Sequence, residues 1–214
     1  MNIVLVDDHK MIRDGLRAVL EREEDLRVAG EAADGREALE LCWSLRPDVV
    51  VMDIGMPNLN GTEATRQLLS REPRMKIVAL SMNQDGHYVR EMFQAGAWGF
   101  CVKSSAGEEL VRAIRSVSKD ERYVSPAVAS TVVDALAAGF KSPSREGRTL
   151  LTPREREVLQ LVSEGLTSKE IAVRLDLAVS TIETHRKQLM AKLNLRTVAE
   201  LTKFAVRVGL TTLD

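Results

Sequence analysis

The succession of apolar runs predicts an α/β doubly wound five-stranded parallel sheet followed by a separate all-α domain. Five short β-rich runs alternate with five segments of helical period over the first half of the chain. The strand candidates are continuously apolar rather than alternating, as strands covered by helices on both faces should be. Past a stretch rich in Gly, Pro and Ser, strand signals cease and only helical segments follow.

Strands are expected at 2–6, 27–32, 48–53, 76–81 and 98–102, typified by Ile3-Val4-Leu5-Val6, Val49-Val50-Val51 and Ile77-Val78-Ala79-Leu80. Between them, 10–23, 35–45, 60–70, 85–95 and 106–118 repeat apolar residues every three or four positions. These units form a first domain over 1–120. Residues 121–151 read as a linker with one short helix, Pro126 to Ala138, capped by Ser125 and with Pro126 in its first turn. The last domain, 152–214, has four Ser/Thr-x-x-Glu patterns, at Thr152/Glu155, Thr167/Glu170, Ser180/Glu183 and Thr197/Glu200. Each is a candidate capping box, in which hydroxyl and carboxylate satisfy the free backbone amides of a helix start.

The 214 residues are 44% apolar and 29% charged, the balance of a folded globular chain. The longest apolar runs, such as Val49-Val50-Val51-Met52 between Asp48 and Asp53, end far short of a membrane span. Met1-Asn2-Ile3-Val4-Leu5-Val6-Asp7-Asp8 lacks the basic and long apolar regions of a signal peptide, so a cytoplasmic location is expected. Cys42 and Cys101 lie far apart in apolar contexts, as reduced core thiols do. The net charge of −1 divides unevenly. Residues 1–124 hold 17 Lys and Arg against 21 Asp and Glu, a net of −4, whereas 125–214 hold 13 against 10, a net of +3. That split suggests an acidic domain joined to one that meets a polyanion.

Asp7 and Asp8 follow the first strand and Asp53 ends the third, so a parallel sheet brings three carboxylates to one edge. Converging like charges need a cation, and carboxylate oxygens without imidazole or thiolate select a hard ion, Mg²⁺ or Mn²⁺. Ser81 ends the fourth strand and Lys103 follows the fifth. Together they supply a nucleophile, a metal site, a hydroxyl donor and a fixed positive charge, the set a phosphoryl group on a carboxylate requires. Each residue alone reads more simply as a helix cap or a solvated charge. Five at one edge favour a site.

Asp7-Asp8, Asp53-Ile54-Gly55-Met56-Pro57 running to Gly61, Leu80-Ser81 and Gly96-Ala97-Trp98-Gly99-Phe100-Cys101-Val102-Lys103 resemble the receiver domain of two-component response regulators, a flavodoxin-like fold, over residues 2–120. The resemblance implies that Asp53 accepts the phosphoryl group. It implies that Asp8, Asp53 and the Gly55 carbonyl bind Mg²⁺, with Asp7 acting through water. Ser81 and Lys103 would contact the phosphoryl oxygens, and Phe100, where Tyr is more frequent, would be an aromatic switch that moves inward. Ser104 follows Lys103 where many receivers have Pro. Metal-dependent phosphatases that also phosphorylate an Asp carry a second Asp two residues later as general acid. Gly55 holds that position here, so turnover of exogenous phosphate esters is not expected and the chain is read as no enzyme.

On a helical wheel, Ser180 to Leu193 places Ile182, Leu189 and Leu193 on one side, flanked by His185 and Arg186. Ser180, Glu183, Thr184, Lys187 and Ala191 face away, a small polar surface able to enter a major groove. Ser168 to Leu175 precedes it across the short turn Asp176-Leu177-Ala178-Val179, as in a helix-turn-helix. Leu151-Thr152-Pro153-Arg154-Glu155-Arg156-Glu157-Val158-Leu159, Gly165, Ser168-Lys169-Glu170-Ile171-Ala172, Ser180-Thr181-Ile182-Glu183-Thr184-His185 and Lys192-Leu193 resemble the LuxR-type helix-turn-helix over 150–207. That resemblance implies base contacts by Glu183, Thr184 and Lys187, and phosphate contacts by Lys169, Thr181 and Arg186. His185 is read as packing or touching phosphate. The whole chain resembles NarL/FixJ-type response regulators. It implies a sensor histidine kinase as phosphodonor, promoter DNA bound as a homodimer, contact with RNA polymerase, and no membrane partner.

Overall fold

The computed structural model describes residues 1–105, 107–137 and 151–211, with the backbone alone at 134–137. It divides into two compact units, Met1–Phe140 and Lys141–Asp214. In the first, strands β1 (Asn2–Val6), β2 (Arg27–Ala32), β3 (Val49–Asp53), β4 (Lys76–Ser81) and β5 (Gly99–Val102) alternate with α1 (Lys10–Leu20), α2 (Gly35–Leu45), α3 (Gly61–Arg71), α4 (Gly86–Ala95) and α5 (Glu108–Ser118). A short strand β6 (Tyr123–Val124) and α6 (Pro126–Ala137) complete it.

The expected five strands are present, and β6 adds a sixth, parallel to β5 with Gly99 opposite Tyr123 and Phe100 opposite Val124. Two residues carry no readable period, so only the pairing reveals them. The order is β2-β1-β3-β4-β5-β6. The chain therefore changes winding direction between β1 and β3, and the crevice outside their carboxyl ends is where such sheets bind ligands.

Alternate strand residues serve opposite layers. Ile3, Leu5, Val49 and Val51 pack with Leu16 and Leu20 of α1 and with Leu110, Ile114 and Val117 of α5. Val4, Val6, Val50 and Met52 pack with Ala38, Leu39 and Cys42 of α2 and with Ala64 and Leu68 of α3. This two-sided burial explains why the strands read as unbroken apolar runs. A third cluster joins Phe100 of β5, Val89 and Met92 of α4 and Val128 of α6. Helix α6 thus belongs to the first unit, its Thr131 so near the start of α4 that a Cβ on Gly86 would lie 2.7 Å from Thr131 Cγ2. Ser125 does not cap α6: its hydroxyl is buried without a hydrogen bond, and its amide instead extends the β5 pairing by donating to the Phe100 carbonyl at 2.8 Å. Ala138 and linker residues 139–150 lie outside the described residues. Cys42 and Cys101 are free and buried, and burial pushes both thiols up, Cys42 to about 12.

The second unit is four helices, α7 (Pro153–Ser163), α8 (Ser168–Leu175), α9 (Val179–Leu193) and α10 (Val198–Arg207), around Val158, Leu161, Ile171, Ile182, Leu189, Leu201 and Ala205. Capping boxes form at Thr152/Glu155, Thr167/Glu170 and Thr197/Glu200. The fourth does not. Helix α9 starts at Val179 with Ala178 at its N-cap, which puts Ser180 inside the first turn, where its hydroxyl cannot serve as a cap. Among the described residues no helix is long and apolar enough to cross a membrane.

The loop from β3 to α3 turns back so tightly that a Cβ on Gly61 would stand 1.8 Å from the Asp53 carbonyl oxygen. Its amide donates to the Ile54 carbonyl at 3.0 Å, which fixes the loop against the strand end. Gly61→Ala is therefore expected to cost upward of about 2 kcal/mol, because backbone rather than a flexible side chain must move. Urea unfolding measures this, and a loss under 0.5 kcal/mol would refute the close approach.

Candidate functional site

Parallel register brings the chemistry-bearing residues together. Met52 lies opposite Val6, Asp53 opposite Leu80 and Ser81 opposite Val102, so the residues that follow or end β1, β3, β4 and β5 share the carboxyl edge. Asp7 is 1% exposed, Asp53 3% and Ser81 4%, whereas Asp8 is half-buried. Lys103 opens a single 3-10 turn, Lys103–Ser105, and the peptide joining it to Ser104 is trans. Its buried side chain reaches back so that Nζ lies 2.6 Å from Asp7 Oδ2 and 2.7 Å from Asp53 Oδ2. Asp7 is held further by the His9 amide, which donates to Oδ1 at 2.9 Å. Ser81 Oγ accepts from the Asn83 amide at 3.0 Å, which steadies the loop after β4. Gly55 is exposed just beyond Asp53, while the Phe100 ring is fully buried beneath α4 and α6.

Two carboxylates therefore share one ammonium with a third close by, and the balance shows in the protonation of Asp53. Burial pushes Asp53 up to about 6 against the pull of Lys103, and Asp7 and Asp8 add to the rise. Desolvation draws Lys103 down, but Asp53 and Asp7 outweigh it and hold the ammonium above its ordinary range. Asp7, Asp8, His9 and Asp53 each offer one ligand atom, all within 4.8 Å of one another. Asp8 Oδ1 is buried and accepts no hydrogen bond. The carboxylates of Asp7, Asp8 and Asp53 are thus placed so that they could hold a metal ion. One neighbour of this cluster was left out by the sequence reading. His9, exposed at the N-cap of α1, puts Nδ1 2.9 Å from Asp8 Oδ1. Its place directly after Asp7-Asp8 was the available signal.

In the second unit, Ser180, Glu183, Thr184, Lys187 and Ala191 are all exposed on α9, opposite the buried Ile182 and Leu189. Lys169 is exposed on α8, and Thr181 is half-buried. Two assigned side chains are already engaged. Thr184 Oγ1 donates to the Ser180 carbonyl at 2.9 Å, and Arg186 Nη1 donates to Ser168 Oγ at 2.8 Å, tying α9 to the start of α8. His185 is half-buried, its Nδ1 without a hydrogen bond. Positional reasoning missed Lys192, which reaches Glu155 Oε2 at 2.8 Å and pins the end of α9 to the capping box of α7.

Comparison with known proteins places the two units separately. Residues 3–115 match the response regulator receiver domain, and residues 149–205 match the bacterial regulatory proteins of the luxR family. The chain is similar to the oxygen regulatory protein NreC of Staphylococcus epidermidis, 35% identical and covering 97% of each chain. It is similar to the response regulator UvrY of Escherichia coli, 34% identical over 98% of this chain and 95% of that one. Among solved structures it resembles RcsB of Salmonella enterica serovar Typhimurium bound to a promoter with the phosphomimetic BeF3⁻, at 26% identity, TM-score 0.60 and 99% coverage of each.

Folding favours the protonated Asp53, so this group stabilises the fold most below its ordinary 3.8 and loses that contribution as pH rises through about 6. In metal-free buffer Asp53→Asn should gain roughly 2–3 kcal/mol over the wild type at pH 7. The gain should shrink through pH 6 and vanish near pH 4, measured by urea unfolding across that range. A variant no more stable at pH 7 would contradict a desolvated, under-compensated carboxylate.

Proposed function

The chain belongs to the two-component response regulators with a LuxR-type DNA-binding domain, and from that premise we propose that Asp53 is the residue phosphorylated. Its output is transcription, regulated through phosphorylation-controlled binding to promoter DNA. Proteins of this family are transcription factors rather than enzymes. The observation that carries the assignment is the buried ammonium of Lys103 bridging Asp7 and Asp53 beside an Asp8 oxygen that accepts no hydrogen bond.

Asp53 attacks the phosphorus of the donor, the bond to the donor's leaving group breaks, and an acyl phosphate forms on the carboxylate. Mg²⁺, with Mn²⁺ as substitute, neutralises phosphoryl charge when held by Asp8, Asp53 and the Gly55 carbonyl. Lys103 is already 2.7 Å from Asp53 and places a fixed positive charge beside the product's oxygens. Ser81 is drawn to the phosphoryl group, which frees the Asn83 amide it now accepts and shifts the loop leading to α4. Phe100 shares a cluster with α4 and α6, so that shift reaches the helix before the linker. A sensor histidine kinase in the cytoplasm serves as the phosphodonor.

DNA recognition is assigned to α9, with Glu183, Thr184 and Lys187 toward base edges and Lys169, Thr181 and Arg186 toward phosphates. Residues 125–214 carry a net charge of only +3, so the helical unit binds one half-site weakly, and two copies on two half-sites are expected, with contact to RNA polymerase at the promoter.

Incubation with a small phosphodonor and Mg²⁺ should add one phosphate in the intact mass spectrum of the wild type and none in Asp53→Ala. A gain that survives the substitution would overturn the assignment. On a selected promoter fragment, Lys187→Ala should cost about 1–3 kcal/mol. Full affinity retained by both Lys187→Ala and Thr184→Ala would refute the groove assignment.

A further inference from the structure

We propose that Glu183 makes α9 selective for cytosine, its carboxylate accepting a hydrogen bond from the N4 amine of a cytosine that lies within about two base steps of a guanine read by Lys187. This rests on the groove reading above, because it names the bases that the same helix face meets.

An acid on a helix surface has two simpler explanations, and the geometry removes both. The capping box of Ser180 and Glu183 does not form, since α9 starts at Val179 and no side chain caps it. Glu183 and Lys187 stand one turn apart in the order that favours a surface ion pair, yet among the described residues neither has a hydrogen-bonding or charged partner. Both are exposed, opposite the buried Ile182 and Leu189. Thr184, between them, spends its hydroxyl on the Ser180 carbonyl at 2.9 Å.

The chemistry of the groove then sets the preference. An unpaired carboxylate entering a groove walled by phosphates is repelled unless a donor meets it. The major groove offers two such donors, the exocyclic amines of cytosine and adenine. Adenine sets its amine beside the N7 acceptor, which repels a carboxylate and suits an amide instead. Cytosine presents N4 with no acceptor on the same edge, and the ammonium of Lys187 fits guanine O6 and N7. Four residues at a rise of 1.5 Å place Lys187 about 6 Å further along the helix axis. With bases stacked about 3.4 Å apart, the two side chains reach pairs no more than about two steps from each other.

Selection of bound duplexes from a random pool tests this with the full chain, with and without a small phosphodonor and Mg²⁺, in the wild type, Glu183→Ala and Glu183→Gln. The wild type should enrich a sequence with one C·G pair whose replacement weakens binding about tenfold or more. Glu183→Ala should accept all four bases there within about twofold and keep every other preference. It should also bind DNA lacking the site more tightly, because a charge repelled by phosphates is gone. Glu183→Gln should move the preference at that position to adenine. A defined wild-type sequence whose preferences all survive in Glu183→Ala, or a preference lost at an A·T pair, would overturn the cytosine assignment and leave the groove reading intact. A wild type that enriches no sequence in either condition would sink the groove reading and this assignment with it.

Discussion

Three carboxylates and one ammonium are forced together at the end of a parallel sheet, and much of the first unit is arranged around that imbalance. Asp7, Asp8 and Asp53 cannot relax away from each other, because β1 and β3 are adjacent and buried on both faces. Lys103 answers part of the charge with contacts of 2.6 and 2.7 Å, and the remainder leaves Asp53 with a carboxyl near pH 6. Positive charge brought to this edge relieves the repulsion that burial imposes on Asp53. The close approach of Gly61 to the Asp53 carbonyl keeps the carboxylate from escaping through loop movement.

The packing around Phe100 gives this edge a route outward. Ser81 sits at the end of β4, α4 follows it, and Val128 of α6 lies in the cluster that holds Phe100 and Met92. Strand β6 extends the sheet so that α6 begins directly beside β5. Packing therefore runs unbroken from Phe100 of β5 to α6. Both cysteines are buried thiols outside this route.

The helical unit solves a different problem, holding one exposed polar helix rigid in a module with a small core. Hydrogen bonds and ion pairs supplement that core: Lys192 with Glu155, Arg154 with the Leu175 carbonyl, and Arg186 with Ser168. They join α7, α8 and α9 at three places, so Glu183 and Lys187 project from a fixed frame.

Periodicity, apolar runs and charge placement were enough to foresee the winding of the sheet, the five core strands, three capping boxes and the carboxylates at the strand edge. These are local signals whose meaning survives any arrangement of the rest. What depended on pairing was hidden: β6 is only two residues long, Ser180 has a box spacing yet lies inside a helix that begins at Val179, and Ser125 carries a cap residue whose hydroxyl is buried unused. His9 was visible beside Asp7-Asp8, but only the turn into α1 brings its Nδ1 to 2.9 Å from Asp8 Oδ1. The residue types by themselves determined that this chain gathers acid at one end of a sheet and presents a polar helix elsewhere. The distances that bring those acids together around Lys103 exist only once register and loop geometry close the edge.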